Sequence, residues 1–160
     1  MQSPEENLRV QKTTGRWVVE TPAHESRLVH MRNVVADLAR QVGFPEDEVA
    51  KIEMAVGEAC ENVLEHAYAK ENEWTWRRRD PEIRMEIRVE GNNLIIEIND
   101  HGQRFDFGEY RPGSIEDKIR QMAPGGYGLA IMRRFMDEVQ YSSNDATGNT
   151  LRLVKYLKKP

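Results

Sequence analysis

Residues 82–99, EIRMEIRVEGNNLIIEIN, alternate apolar and charged side chains and then turn back along the chain. From residue 82 to residue 90 every second side chain is apolar, and the side chains between them are all Arg or Glu. This is the pattern of a strand with one face in a core and the other in water, typical of an antiparallel sheet. Gly91-Asn92-Asn93 is a turn signal, so residues 94–99 are predicted to return as the partner strand.

The sequence around this hairpin predicts helices and further strands. Apolar side chains at spacings of three and four predict helices over residues 23–42, 45–70 and 127–136. Short runs of β-forming residues predict strands over residues 16–21, 139–143 and 150–157. A loop is predicted over residues 74–80 and a short helix over residues 114–122.

Helices grouped against a sheet of this kind predict an α+β fold. The expected architecture is a two-layer sandwich, a mixed and mostly antiparallel sheet covered on one face by helices. Residues 1–15 are predicted to be a flexible N-terminus, and residues 16–160 a single domain.

Composition limits the classes of function that fit the chain. A net charge of −4 gives no general reason to expect a nucleic-acid or membrane partner. No apolar run approaches the roughly 18 residues that cross a bilayer. The single cysteine, Cys60, cannot form an internal disulfide and is predicted to be a packed core thiol. We therefore expect a cytoplasmic protein.

The helix over residues 45–70 carries the first group of residues that could do chemistry. Glu58, Asn62 and His66 are spaced by four, so they form one ridge along the rim of the apolar stripe. Polar groups at the edge of a core need partners, which a metal ion and an anionic ligand would supply. A helix whose Glu and Asn are merely solvated explains the same spacing, so this segment alone leaves both interpretations open.

Two glycine-containing segments carry further residues that could bind a ligand. Asp100 ends a predicted buried strand and is followed by Gly102, so its carboxylate could accept a hydrogen bond from a ligand amine. Gly125, Gly126 and Gly128 lead into a helix N-terminus, where backbone N–H groups can face an anion. Each segment alone is also explained as an ordinary polar turn. Neither the P-loop pattern nor a dinucleotide-binding glycine pattern is present.

Taken in order, these segments resemble the conserved boxes of the ATPase superfamily of gyrase, the heat-shock chaperone, sensor histidine kinases and mismatch-repair ATPases. The matching phrases are EACENVLEHAY, INDHGQRFD and GGYGLAIMRRFMDEV, followed by GNTLRL. The resemblance is closest to the small serine kinases that act as bacterial anti-sigma factors, and it spans about residues 21–157. Arg104 departs from the wider pattern, which often has another glycine there.

The resemblance implies roles for individual residues. Glu58 matches the general base, Asn62 the residue that holds Mg²⁺, and Asp100 the residue that receives the adenine amino group. The other implied positions are Gly102 beside the adenine, Gly126 and Gly128 at the phosphates, Thr150 in the adenine pocket next to Asp100, and Arg32 near the partner-facing surface.

The resemblance also implies a function. The expected protein is an ATP- and Mg²⁺-dependent kinase that phosphorylates a Ser or Thr of an anti-anti-sigma antagonist protein and holds a sigma factor inactive. A homodimer is expected, without a nucleic-acid or membrane partner. One alternative is a non-catalytic module that binds ATP and sequesters a protein partner without phosphoryl transfer. Another is a regulated partner other than a sigma factor.

Overall fold

The computed structural model describes residues 8–68, 82–102, 104 and 127–158. Its strands are β1 (Arg9–Thr13), β2 (Arg16–Pro22), β3 (Glu82–Glu90), β4 (Asn93–Asp100), β5 (Glu138–Asn144) and β6 (Gly148–Tyr156). The helices within these ranges are α1 (Glu25–Val42), α2 (Glu46–Asn62) and α3 (Tyr127–Phe135), and a π-helical turn, Val63–Tyr68, extends α2. The loop predicted over residues 74–80, the helix predicted over residues 114–122 and Gly126 lie outside the described residues.

The strands form one sheet of six in the order β1-β2-β3-β4-β6-β5. The predicted α+β class is confirmed. The sheet was expected to be mixed, but all five ladders between its described strands are antiparallel. Short turns join β1 to β2, β3 to β4 and β5 to β6, and strands joined in this way are antiparallel.

The central hairpin has the two faces that its sequence predicts. Alternate residues of β3 and β4 point at the helices and are at most 1% exposed: Ile83, Met85, Ile87, Leu94, Ile96 and Ile98. Each such side chain contributes about 1.5–3 kcal/mol relative to an exposed one. Together with the apolar faces of α1, α2 and α3 they form one core cluster. The helices are therefore fixed to one face of the sheet, and the site described below is built at the edge of this core.

The opposite face of the sheet carries an ionic network centred on Glu86. Arg16 donates to both carboxylate oxygens, with its Nε 2.7 Å from Oε1 and its Nη2 2.9 Å from Oε2. Arg84 and Arg88 each donate a further hydrogen bond. The hydrogen bond from Arg16, followed by that from Arg84, lowers the pKa of Glu86 to about 2. The network links β2 to β3 on the side away from the helices.

Strand β1, Arg9–Thr13, lies within the segment over residues 1–15 that was predicted to be a flexible N-terminus. This strand pairs with β2 through a tight turn in which Gly15 has a φ of 69°. All five side chains of β1 are exposed, so the strand has no buried face. Hydrophobic alternation could not reveal it, since it is held by backbone pairing at the edge of the sheet.

The end of α1 agrees with the sequence prediction, whereas the end of α2 differs from it. Helix α1 ends, as predicted, at Gly43, whose φ of 109° lets its N–H reach the carbonyls of Ala39 and Arg40. The helix predicted over residues 45–70 is confirmed as an α-helix only over Glu46–Asn62. The α-helical geometry stops at Asn62 and a π-helical turn follows. Such turns are often found at functional sites, and this one begins directly after one of the predicted site residues.

A buried cation holds α2 and α3 to the sheet. Lys155 of β6 is 8% exposed, and its Nζ lies 2.7 Å from Glu48 Oε2 and 2.6 Å from the carbonyl oxygen of Phe135. Glu48 lies in the first turn of α2, and Phe135 is the last residue of α3. Hydrogen bonds from Lys155 and from Lys51 lower the pKa of Glu48 to about 2. One ammonium group therefore links both helices that carry the site to the last strand of the sheet.

Candidate functional site

Asp100, the last residue of β4, is held by the neighbouring strand and by its own turn. Its side chain is on the helix side of the sheet, and the residue is 6% exposed. Oδ1 accepts hydrogen bonds from Gly102 N at 2.9 Å and from Asn149 Nδ2 at 2.8 Å. Asn149 belongs to β6 and is the direct cross-strand neighbour of Asp100. The carboxylate is therefore fixed through one of its two oxygens.

The second oxygen of this carboxylate is available to a ligand. None of the described residues donates a hydrogen bond to Asp100 Oδ2. Burial raises the pKa of Asp100 above its ordinary value, and the hydrogen bonds from Asn149 and Gly102 oppose that rise. A carboxylate on a residue that is only 6% exposed has few partners available, so a donor on a ligand would stabilise its second oxygen. An amino group such as that of adenine fits this requirement.

Thr150 does not contact Asp100, and the role that the sequence analysis gave it is corrected. Thr150 pairs with Asn99, whose Nδ2 donates to Thr150 Oγ1 at 2.7 Å on the opposite face of the sheet. Successive side chains of a strand alternate between faces, so only one of Asn149 and Thr150 can face Asp100. The residue that does so is Asn149. Its register with the buried Leu151 and Leu153 was the sequence signal that could have identified it.

The turn before β6 needs glycine where it passes Asp100. Gly148 has a φ of 84°. A Cβ built on it would lie 2.4 Å from the carbonyl oxygen of Asp100 and 2.7 Å from His101 Nδ1. A side chain at this position would collide with backbone, which cannot move aside as the end of a flexible side chain can. Gly148 therefore lets the β5–β6 turn close against the end of β4.

Glu58 and Asn62 lie together against the first turn of α3, which packs on α2. A Cβ built on Gly128 would lie 2.8 Å from Glu58 Oε2 and 3.4 Å from Asn62 Oδ1. The fold thus brings three predicted site residues from two distant segments into contact distance. Gly128 is buried, and the absence of a side chain there lets the carboxylate and the amide pack directly against the α3 backbone. Backbone N–H groups at a helix N-terminus favour an anion such as a phosphate.

The electrostatic surroundings of Glu58 favour its neutral form. Burial is the largest cause of a raised pKa at Glu58, and the charges of Glu61 and Glu65 raise it further. The positive charge of Arg32 acts in the opposite direction. A carboxylate with a raised pKa is a stronger base than an ordinary one while it remains ionised. Such a group is suited to accept a proton from a hydroxyl.

Arg32 is partly buried and packs against α2. Its side chain lies across Gly57 of α2, where a Cβ would be 2.9 Å from Arg32 Cδ. Arg32 Nε is buried and has no hydrogen-bond partner among the described residues. Arg32 therefore contacts the residue that precedes Glu58. Its predicted role in partner binding stays a prediction.

The donor set around Asn62 fits Mg²⁺ only with help from a ligand. Among the described residues no group of three or more His, Cys, Asp or Glu side chains could hold a metal ion. Mg²⁺ commonly takes one or two protein oxygens and completes its shell with water and substrate phosphates. The Asn62 amide oxygen beside the anion-favouring turn of α3 suits that mode of binding.

Comparison with known proteins gives the class to which this fold and site belong. The chain belongs to the family of histidine kinase-like ATPase domains, whose family model matches residues 21–155. The serine-protein kinase RsbW of Bacillus velezensis is 32% identical over 146 residues, which cover 87% of this chain and 84% of that protein. The serine-protein kinase RsbW of Bacillus subtilis is 30% identical over the same shares of both chains.

A solved structure supports the same fold. The crystal structure of the RsbU and RsbW domains of Rv1364c from Mycobacterium tuberculosis matches 89% of this chain with a TM-score of 0.60 and 19% identity. The chain spans about a third (33%) of that longer chain, so this likeness concerns the fold alone. The family model and the two RsbW relatives confirm the resemblance inferred from the three sequence segments. No helix in the described ranges is long and apolar enough to cross a membrane.

Proposed function

We propose that the chain binds ATP with Mg²⁺ and transfers the γ-phosphoryl group to a Ser or Thr of an antagonist protein, and that it holds a sigma factor inactive. The observation that carries the proposal is the contact of Gly128 with Glu58 and Asn62, at the edge of the core that also holds Asp100. The 32% identity to a serine-protein kinase supports the same reaction.

Adenine recognition rests on Asp100. The exocyclic amine of adenine donates to Asp100 Oδ2, the oxygen to which no described residue donates. The interaction requires the ionised carboxylate, because a protonated one would present a donor to another donor. Hydrogen bonds from Gly102 and Asn149 to the other oxygen favour the ionised form. The phosphates extend toward the first turn of α3.

The transfer step needs few protein groups. The hydroxyl oxygen of the target residue attacks the γ-phosphorus, its new O–P bond forms, and the bond to the β–γ bridging oxygen breaks to release ADP. Glu58 accepts the hydroxyl proton. Mg²⁺, when bound at Asn62, would neutralise charge on the phosphates. Asn62 is an uncharged ligand and would leave the ion's charge available to them.

Phosphorylation of the cognate antagonist by the wild type and by Glu58→Gln tests this proposal. We expect the variant to bind ATP with the wild-type affinity and to transfer phosphate at least about a hundredfold more slowly, as the loss of a general base does. Glu53→Gln is the matched control, since Glu53 lies on the same helix and does not contact Gly128. Equal rates for Glu58→Gln and Glu53→Gln would exclude Glu58 as the base.

Wild-type ATP binding without any phosphate transfer would support the non-catalytic alternative. The predicted sigma-factor partner is tested by co-purification from the host with the chain as bait. The predicted homodimer is tested by light scattering over a range of concentrations. The cytoplasmic location and the single domain over residues 16–160 stay predictions.

A further inference from the structure

Three neighbouring strands place three polar side chains in one row at the end of the sheet. Asp100 of β4 is opposite Asn149 of β6, and Asn149 is opposite Ser143 of β5. Asn149 is 3% exposed, although it is an amide at the end of its strand. A buried amide in this position requires matched partners, and it has them on both sides.

The hydrogen bonds along the row fix the orientation of the Asn149 amide. Its Nδ2 donates to Asp100 Oδ1 at 2.8 Å and to the carbonyl oxygen of Gly102 at 3.0 Å. Its Oδ1 accepts from Ser143 Oγ at 2.8 Å. The reversed amide would place its oxygen against a carboxylate and a carbonyl, two acceptors, so that orientation is excluded. The direction of the row is therefore Ser143 to Asn149 to Asp100.

Asn149 also contacts the turn that follows β4 at two points, the Asp100 carboxylate and the Gly102 carbonyl. Gly102 N donates to Asp100 Oδ1 while the Gly102 carbonyl accepts from Asn149. Rotation of the carboxylate about its Cβ–Cγ bond would break both hydrogen bonds to Oδ1. Oδ1 is thus saturated by two donors, and Oδ2 is left pointing elsewhere with no described donor.

We propose that Asn149 and Ser143 are positioning residues that make the site selective for a purine carrying a 6-amino group, because they hold Asp100 with Oδ2 as its single free acceptor. The inference rests on the proposed nucleotide binding and adds the residues that determine base selectivity. Neither residue is required to contact the nucleotide. Both residues act by orienting Oδ2 of Asp100, which accepts from the 6-amino group. Their loss should therefore weaken recognition of that amino group and leave binding of the rest of the nucleotide unchanged.

The test compares ATP with purine riboside 5′-triphosphate, which has hydrogen in place of the 6-amino group. Dissociation constants are measured for both with Mg²⁺ by competition with a fluorescent nucleotide. In the wild type we expect ATP to bind roughly ten- to hundredfold more tightly, the usual worth of a hydrogen bond to a charged group. In Asn149→Ala we expect that preference to fall by roughly tenfold, with the affinity for the analogue little changed.

Ser143→Ala and Ser142→Ala form the matched pair of variants. Ser143 is exposed and water can replace its hydroxyl in part, so we expect the preference for ATP to fall by roughly threefold. Ser142 is the adjacent serine on the same strand and is paired with Thr150 on the other face of the sheet. Ser142→Ala is expected to keep the full preference. This pair also provides the test if Asn149→Ala fails to fold.

Loss of affinity for both nucleotides in equal measure, or an unchanged preference in Asn149→Ala and Ser143→Ala, would overturn the inference, since a purely structural role predicts those results. A wild type that binds ATP and the analogue equally would overturn it too. A wild type that binds no ATP would refute the proposed function itself.

Discussion

Lys155 and Glu48 form a partly buried ion pair, 2.7 Å apart, between the last strand of the sheet and the first turn of α2, with side chains 10% and 26% exposed. Breaking a buried pair leaves one charge without its partner, which costs more than the pair contributes. Lys155→Met is therefore expected to lower the free energy of unfolding by about 2–4 kcal/mol, measured by urea denaturation. Lys51→Met is the control. Lys51 binds the same carboxylate from an exposed position, and its loss is expected to cost about 1 kcal/mol or less.

The two glutamates with a depressed pKa predict a loss of stability in acid. Glu48 and Glu86 each have a pKa of about 2 in the folded protein, against an ordinary value of 4.5. Their contribution is complete above pH 4.5 and is lost as the pH falls from there toward 2, because the unfolded chain then binds more protons. Unfolding free energies measured from pH 7 down to pH 3 should therefore decline most steeply below about pH 4.5.

The variant Glu48→Gln removes the contribution of Glu48 to this pH dependence and leaves that of Glu86. It should be less stable than the wild type at pH 7, and its stability should fall less steeply in acid. A wild-type stability that stays constant between pH 5 and about pH 3 would contradict both assignments.

Gly128→Ala is expected to separate catalysis from folding. The added Cβ would meet Glu58 Oε2 at 2.8 Å, and the carboxylate is the end of a flexible side chain that can move aside. Alanine also favours a helix by about 1 kcal/mol over glycine, so stability should be unchanged or slightly raised. The rate of phosphate transfer should fall at least about tenfold because the displaced carboxylate no longer meets the hydroxyl. A wild-type rate in a folded Gly128→Ala protein would show that the position of Glu58 does not matter.

Asp100→Asn should weaken ATP binding without harming the fold. The amide has the same shape and carries no charge to bury, whereas burial raises the pKa of the natural carboxyl. We expect at least about tenfold weaker binding, since the adenine amine loses a charged acceptor, with a free energy of unfolding equal to or above that of the wild type. The exposed Asp37 gives the control variant Asp37→Asn, which should bind ATP normally.

Cys60 is expected to be inert in the folded protein. It is fully buried, and burial is the main reason that its pKa is raised to about 12. The thiolate is the reactive form, so a thiol reagent at pH 8 should modify Cys60 only as fast as the chain unfolds. Labelling followed by mass spectrometry with and without urea measures this directly. Rapid labelling of the native protein would contradict the predicted core position.

Sequence patterns predicted the parts of the fold that depend on burial. The alternation over residues 82–90 located β3, and Gly43 located the end of α1, because a buried face and a left-handed residue each leave a mark in the sequence. Strand β1 left none, since its side chains are all exposed and only its backbone is paired. The π-helical turn after Asn62 was missed because apolar spacing does not distinguish it from an α-helix.

The candidate site also contains residues that the sequence motifs identify and one that they do not. Glu58, Asn62 and Asp100 were predicted because they stand in recognisable segments, and the structure adds where their atoms lie. The choice between Asn149 and Thr150 depended on which face of β6 each one occupies. Counting in steps of two from Leu153 gives Leu151 and then Asn149 on the buried face, whereas matching of the motif alone favoured the adjacent threonine.

Gly128 has a consequence for inhibitors of this protein. A compound seated against the first turn of α3 would meet backbone there, and any residue larger than glycine would collide with Glu58. Resistance by substitution at that position is therefore expected to impair the proposed phosphate transfer as well. Selectivity among related proteins would instead have to come from contacts beside Asp100, where Asn149 and Ser143 contribute side chains and not only backbone.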